Sequence, residues 1–271
     1  MNASLWDLPA SLRLERRDSV AVLTLSRAHK RNALDDETIL GLGRFFAELP
    51  AWAKVVVLAA DGDHFSAGLD LGELSECDAV EGMHHSRMWH QAFARIQSGS
   101  VPVIAVLKGA VVGGGLELAS SAHLRVAEGT TFFALPEGQR GLFVGGGASV
   151  RVSRLIGVQR MTDMMLTGRV LGAEDGVAAG LADYLVGPGE GLDHALSMAE
   201  TIASNSPVSN YAILHALPRI AETDPETGFL LESLMAAVAQ SSAEAKQCMA
   251  DFLVGRAAKV AAAPTTPEKV S

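Results

Sequence analysis

The chain has 271 residues, 48% of them hydrophobic and 20% charged, with a formal net charge of −9. This composition supplies a sizeable core and excludes wholesale disorder, and its acidic balance without a basic stripe excludes a nucleic-acid partner from the expected classes. No uncharged apolar run reaches the ~18 residues needed to span a bilayer, so no membrane span is expected. An anionic ligand stays open, because backbone N–H groups and a few local cations can hold one. Cys77 and Cys248 form no motif and read as two reduced thiols. The Ser4–Pro9 stretch has neither a basic start nor a long apolar run, so a soluble, cytoplasmic protein is expected.

In chain order, Leu12–Arg16 and Val20–Leu25 are strand-like around an Arg17-Asp18 turn. Asp35 or Asp36 can cap a helix to about Leu49, with Ile39, Leu42, Phe45 and Phe46 on its apolar face. Lys54–Ala60 is a continuous apolar run suited to a buried strand. His64–Gly68 is a short strand or turn, and an irregular helical stretch follows from Leu69 to Gln97. Val101–Leu107 repeats the buried-strand pattern, and Ala110–Val112 leads through Gly113-Gly114-Gly115 into a helix ending near Ser121. His123–Ala127 and Thr131–Phe133 are expected to pair with one another. Leu135–Gly141 is a short helix or turn, and a second glycine triplet, Gly145-Gly146-Gly147, opens a helix to Ile156. The order "strand, short strand, helix" recurs about four times without a sequence repeat.

After about Gly168 the pattern predicts a helix over Ala173–Gly180, a strand over Ala182–Val186 and a helix over Gly191–Ser204. Three amphipathic helices follow, over Pro207–Ala221, Pro225–Ala239 and Ser242–Leu253. The expected organisation is an α/β core over 1–205, a helical region over 206–258 and a disordered tail over 259–271. Leu230, Leu231, Leu234, Met235 and Val238 put much apolar surface on that region, pointing to subunit contact or burial on its own core.

Two acids stand out. Glu117 follows the first glycine triplet, and Glu137 lies twenty positions on, in Leu135-Pro136-Glu137-Gly138. The triplet permits positive φ and close ligand approach, and it presents backbone N–H groups at a helix start. A tight turn without a ligand would use it equally well. In His64-Phe65-Ser66-Ala67-Gly68-Leu69-Asp70, the Ala67 N–H is a second candidate donor beside that of Gly114. Taken singly, Glu117 reads as a helix-dipole partner and Glu137 as a solvated helix start. Taken with two N–H donors, they read as a site that polarises a carbonyl and moves protons beside it. The chain has no CxxC, HExxH or GxSxG pattern, and its eight histidines have no zinc spacing, so no metal is expected. His84-His85 reads as surface.

Lys30-Arg31-Asn32-Ala33-Leu34, His64-Phe65-Ser66-Ala67-Gly68-Leu69-Asp70-Leu71, Val112–Ala119, Leu135-Pro136-Glu137 and Leu166-Thr167-Gly168-Arg169 resemble, in order and spacing, the motifs of the crotonase superfamily. The resemblance covers roughly residues 12–255. It implies a spiral of ββα units with a C-terminal helical region, assembled as a homotrimer or a dimer of trimers, with an acyl-coenzyme A thioester as substrate and no cofactor beyond it. Matched position by position, it implies Glu117 and Glu137 as the catalytic pair of an enoyl-CoA hydratase. It implies Ala67 and Gly114 as the oxyanion hole, and Gly145 as the residue that helps place the water. It implies Ala28, Lys30, Ala67, Leu69 and Asp70 along the coenzyme A moiety. The acyl pocket is expected within Leu71–Trp89, with Met83, Met88 and Trp89 as candidates.

On this reading water adds across the 2,3 double bond of a trans-2-enoyl-CoA to give a 3-hydroxyacyl-CoA. The alternatives are another acyl-CoA reaction of the family (isomerisation, carbon–carbon cleavage or ring opening) or a non-catalytic acyl-CoA binder. Two departures bear on substrate preference: Val144 stands where the family often has proline, and Gly138-Gln139-Arg140 is more polar than the usual continuation.

Overall fold

A computed structural model describes residues 8–73 and 78–256. Cys77 and the expected tail at 259–271 lie outside the described residues. The described backbone divides into two compact units, the first ending at Asn205 and the second beginning at Ser206.

The first unit begins with β1 (Leu12–Arg17) and β2 (Val20–Leu25), an antiparallel pair. Next come α1 (Asp36–Ala47), β3 (Val55–Ala60) and α2 (Ala79–Gln97). Asp35 caps α1 by accepting from the Thr38 N–H at 2.8 Å. Asp78 and Glu81 form a reciprocal capping box on α2. Then follow β4 (Val103–Leu107), β5 (Ala110–Val112), α3 (Gly114–Ala119), β6 (Leu124–Glu128) and β7 (Phe132–Ala134). The unit closes with α4 (Ala148–Ile156), α5 (Val158–Thr167), β8 (Leu171–Gly172), α6 (Ala173–Ala179), β9 (Tyr184–Val186) and α7 (Gly191–Ala203).

The large sheet runs β1-β2-β3-β4-β6-β9 and is parallel after its first pair; β5, β7 and β8 form a small second sheet. In the large sheet the two central strands, β3 and β4, are apolar at every position because both faces are covered. Alternate residues serve two cores. Val56, Leu58, Ala105 and Leu107 pack with Phe45, Phe93 and Phe133, whereas Val55, Val57, Ile104 and Val106 pack against Ala195 and Ala199 of α7. Each large side chain so buried contributes about 1.5–3 kcal/mol.

The spiral arises because a long strand enters the large sheet and the next short strand enters the small one. The expected pairing of His123–Ala127 with Thr131–Phe133 is therefore wrong: β6 lies between β4 and β9, and β7 between β5 and β8. Val126 and Ala127 are fully buried, which demands strand neighbours and covered faces that a lone hairpin cannot supply. The chain turns the corner through the Thr131 N–H to Glu128 O bond at 2.9 Å, and Thr131 Oγ1 donates to Leu107 O. His64–Gly68 is no strand; only Ser66 makes a bridge, to Val111. Helix α5, unexpected from the pattern, follows the Gly157 break and buries Met161 and Met164.

The second unit contains α8 (Pro207–His215), α9 (Leu217–Ile220), α10 (Pro225–Ser241) and α11 (Ala243–Leu253). The single helix expected over Pro207–Ala221 is broken after His215, because Pro218 lacks an N–H for a continuing ladder. Asp224 and Ser242 cap α10 and α11. Phe229, Leu230 and Leu234 on α10 are all more than half exposed.

Candidate active site

A cavity of about 230 Å³ opens in the first unit where β5 passes into α3. Its floor is Gly113, Gly114 and the loop Ala67–Leu69; α2 supplies one wall, and 140–146 the other. Both glutamates line it.

Gly113 has φ +52° and ψ −120°, a conformation that side chains disfavour, and it turns the chain from strand to helix. Its N–H donates to Ala134 O at 2.9 Å, tying this turn to the strand that precedes Glu137. Glu117 sits in the first turn of α3 and is 4% exposed. Its Oε1 accepts from the Gly146 N–H at 2.7 Å and the Ala148 N–H at 3.1 Å. Burial raises its pKa, against those two N–H groups and the Arg151 charge, which favour the carboxylate. Glu137 precedes a 3-10 turn over Gly138–Arg140. Its Oε2 is buried without a partner among the described residues. Burial, with the Glu117 charge adding to it, pushes its pKa up to about 7.

The backbone N–H groups without a partner at the cavity floor, among the described residues, differ at one position from the expected oxyanion pair. The Ala67 N–H is engaged, donating to Arg31 O at 2.9 Å. Leu69 bridges Leu34: the Leu34 N–H donates to Gly68 O at 2.8 Å and the Asp70 N–H to Leu34 O at 2.9 Å. This register turns the Leu69 N–H to the opposite side, where it has no partner among the described residues. Gly114 lies next to it: a Cβ there would stand 3.2 Å from Leu69 N and 2.8 Å from the Trp89 ring. The Gly114 N–H, first in its helix, is likewise unpartnered. The adjacent pair without partners among the described residues is thus Leu69 and Gly114.

On α2 the lining residues are Gly82, His85, Ser86 and Trp89, one helical stripe at i, i+3, i+4 and i+7. That spacing was the signal that could have found them. Met83 lies off the stripe and is 53% exposed; Met88 is half-buried against the core; neither lines the cavity, and of the three candidates only Trp89 does. His85 is no bystander at the surface: it lines the cavity and its Nε2 lies 2.7 Å from Asp36 Oδ1. Leu142, Phe143 and Val144 form the apolar part of the facing wall, with Arg140 beside them. Gly145 lines the cavity, but it is Gly146 whose N–H reaches Glu117.

Of the expected coenzyme A residues, Ala28 and Lys30 are exposed in a 3-10 turn. Lys30 Nζ reaches Asp70 Oδ2 at 2.8 Å, and Arg27 bridges Asp70 at 2.9 Å and Asp35 at 2.8 Å. The Lys30 hydrogen bond, opposed by burial and reinforced by Arg27, lowers the Asp70 pKa. Among the described residues no cluster of three or more His, Cys, Asp or Glu could hold a metal ion, and no helix is long and apolar enough to cross a membrane.

The family model described as Enoyl-CoA hydratase/isomerase matches residues 15–260. The chain is 30% identical to the short-chain-enoyl-CoA hydratase of Clostridium acetobutylicum over 246 residues, which is 90% of this chain and 94% of that one. It is 38% identical over 197 residues to the fatty acid oxidation complex subunit alpha of Shewanella loihica, covering 70% of this chain but only 28% of that protein. A crystal structure from Rhodopseudomonas palustris CGA009, provisionally named an enoyl-CoA hydratase, superimposes with a TM-score of 0.89 at 53% identity, covering 93% of this chain and 98% of that one.

Proposed function

The chain belongs to the enoyl-CoA hydratase/isomerase family, and we propose that it adds water across the 2,3 double bond of a trans-2-enoyl-CoA thioester to give a 3-hydroxyacyl-CoA. The observation that carries this reading is the convergence on one cavity of Glu117, Glu137 and two N–H groups that have no partner among the described residues. Hydration needs a base for water and an acid for C2, and the cavity holds a carboxyl group for each.

The thioester oxygen accepts from the Leu69 and Gly114 N–H groups, which draws charge from the conjugated double bond and makes C3 electrophilic. Each donor supports about 3 kcal/mol of barrier reduction. Glu117, whose carboxylate form the Gly146 and Ala148 N–H groups favour, takes a proton from water as the water oxygen bonds to C3. Glu137, its pKa pushed up to about 7 by burial, is partly protonated at neutral pH and in that form delivers its proton to C2. Return of the proton from Glu117 to Glu137 completes the cycle. The acid–base pair is worth about 10²–10⁴-fold. The reaction consumes no electrons and calls on no metal or redox cofactor.

The Lys30–Asp70–Arg27 cluster, whose Asp70 directly follows Leu69, is proposed to meet the coenzyme A moiety, with Ala28 beside it. The exposed apolar residues of α10 support assembly as a homotrimer or dimer of trimers, and a cytoplasmic location suits a chain whose described helices cannot span a membrane. The test is product formation from short, long, aromatic and steroid-like enoyl-CoA esters. A 3-hydroxyacyl-CoA from at least one of them supports the reading; none from any of them sinks it.

A further inference from the structure

The loop 145–147 makes no side-chain contribution to the site, yet it fixes Glu117. One peptide unit does most of this. Its N–H, on Gly146, donates to Glu117 Oε1 at 2.7 Å; its C=O, on Gly145, accepts from Ser86 Oγ at 2.6 Å. A donor on the carbonyl polarises the amide, so its N–H becomes the stronger donor to the carboxylate. The next carbonyl, on Gly146, accepts from Arg151 Nη1 at 2.9 Å. Arg151 is held in turn by Gln97, whose Oε1 accepts from Arg151 Nε at 2.7 Å. Its guanidinium fills the space beside Gly147, where a Cβ would stand 2.3 Å from Nη1. Ser86 and Gln97 both belong to α2, and Arg151 to α4. Two helices therefore grip the loop that grips the acid.

We propose that Ser86 and Arg151 are positioning residues that act through the Gly145–Gly147 loop to set the orientation and proton affinity of Glu117. As an account of turnover this rests on the hydratase reading; as an account of the Glu117 carboxyl it does not. Ser86 acts through the amide dipole it polarises. Arg151 acts through the loop geometry and through its own charge, which favours the Glu117 carboxylate.

The test is the titration of Glu117 followed by carbon-13 NMR in glutamate-labelled full chain, with the resonance assigned by its loss in Glu117→Gln. The Glu117 midpoint is expected to move up in Ser86→Ala and in Arg151→Gln, and to return towards the starting value in Ser86→Thr, which keeps the hydroxyl. With an enoyl-CoA, Ser86→Ala is expected to lower kcat by about tenfold, the worth of one hydrogen bond, with KM little changed. An unmoved midpoint in Ser86→Ala overturns the proposal whether or not the wild type turns over. Equal loss of kcat in Ser86→Ala and Ser86→Thr, without a midpoint shift, also overturns it. Failure of the wild type to hydrate any ester overturns the function proposed above and leaves the titration to decide this one.

Discussion

Glu137 occupies the space that Gly113 leaves vacant: a Cβ on Gly113 would stand 2.7 Å from Glu137 Oε1. The missing side chain of one residue is thus the seat of the other's carboxyl group, and the same glycine opens the helix that carries Glu117.

Gly113→Ala is expected to displace Glu137 and to strain the backbone, since φ +52° with ψ −120° suits only glycine. Stability should fall by about 1–3 kcal/mol, read as a lower denaturant midpoint. Turnover should fall about a hundredfold or more, because the acid is moved from its seat. An alanine variant with wild-type kcat would contradict the fit described.

Glu137 also predicts a pH dependence. Its folded pKa of about 7 lies above its ordinary value of 4.5. Between those values the folded state binds more protons than the unfolded one, so this group's contribution to stability is present below pH 4.5 and is lost as pH rises through about 7. Glu137→Gln should flatten that slope and be more stable than wild type above pH 7. Urea melts across the range check the sign.

The oxyanion assignment is separable by backbone chemistry. Replacing the Leu69 amide by an ester removes its N–H and should lower kcat by about 10²–10³. The same replacement at Ala67 removes a bond to Arg31 O, so it should cost about 0.5–1.5 kcal/mol of stability and little turnover. The reverse pattern would restore Ala67 to the oxyanion hole.

Arg27, 14% exposed in its side chain, links Asp35 and Asp70. Arg27→Ala removes one partner from each carboxylate, while Asp70 keeps Lys30 and Asp35 keeps the Thr38 N–H, and should cost about 1–3 kcal/mol. Lys30→Ala removes a side chain that is 46% exposed; it should cost about 1 kcal/mol at most, while KM for the thioester rises. Denaturant melts and steady-state kinetics of the two variants separate the roles.

Much of this was legible in particular residues. The apolar runs at Val55–Ala60 and Val103–Leu107 could only be doubly covered strands, and Asp35 had the position and chemistry of a cap. Glu117 and Glu137 were visible because glycines and prolines mark the turns that carry them. What was hidden depends on non-local contacts. That Leu69 rather than Ala67 offers a free N–H follows from the bridge to Leu34, far away in sequence. The partition of β6 and β7 between two sheets follows from which neighbours the spiral supplies. Met83 and Met88 attracted notice by residue type, whereas the helical spacing back from Trp89 picks out Ser86, His85 and Gly82.

The most direct test of the central claim is the rate at which Glu117→Gln and Glu137→Gln consume a trans-2-enoyl-CoA, followed by loss of the conjugated thioester absorbance, beside their affinity for the same thioester. Each variant is expected to lose about 10²–10⁴ in kcat while still binding the thioester through the backbone N–H pair. Wild-type turnover in both variants would contradict it.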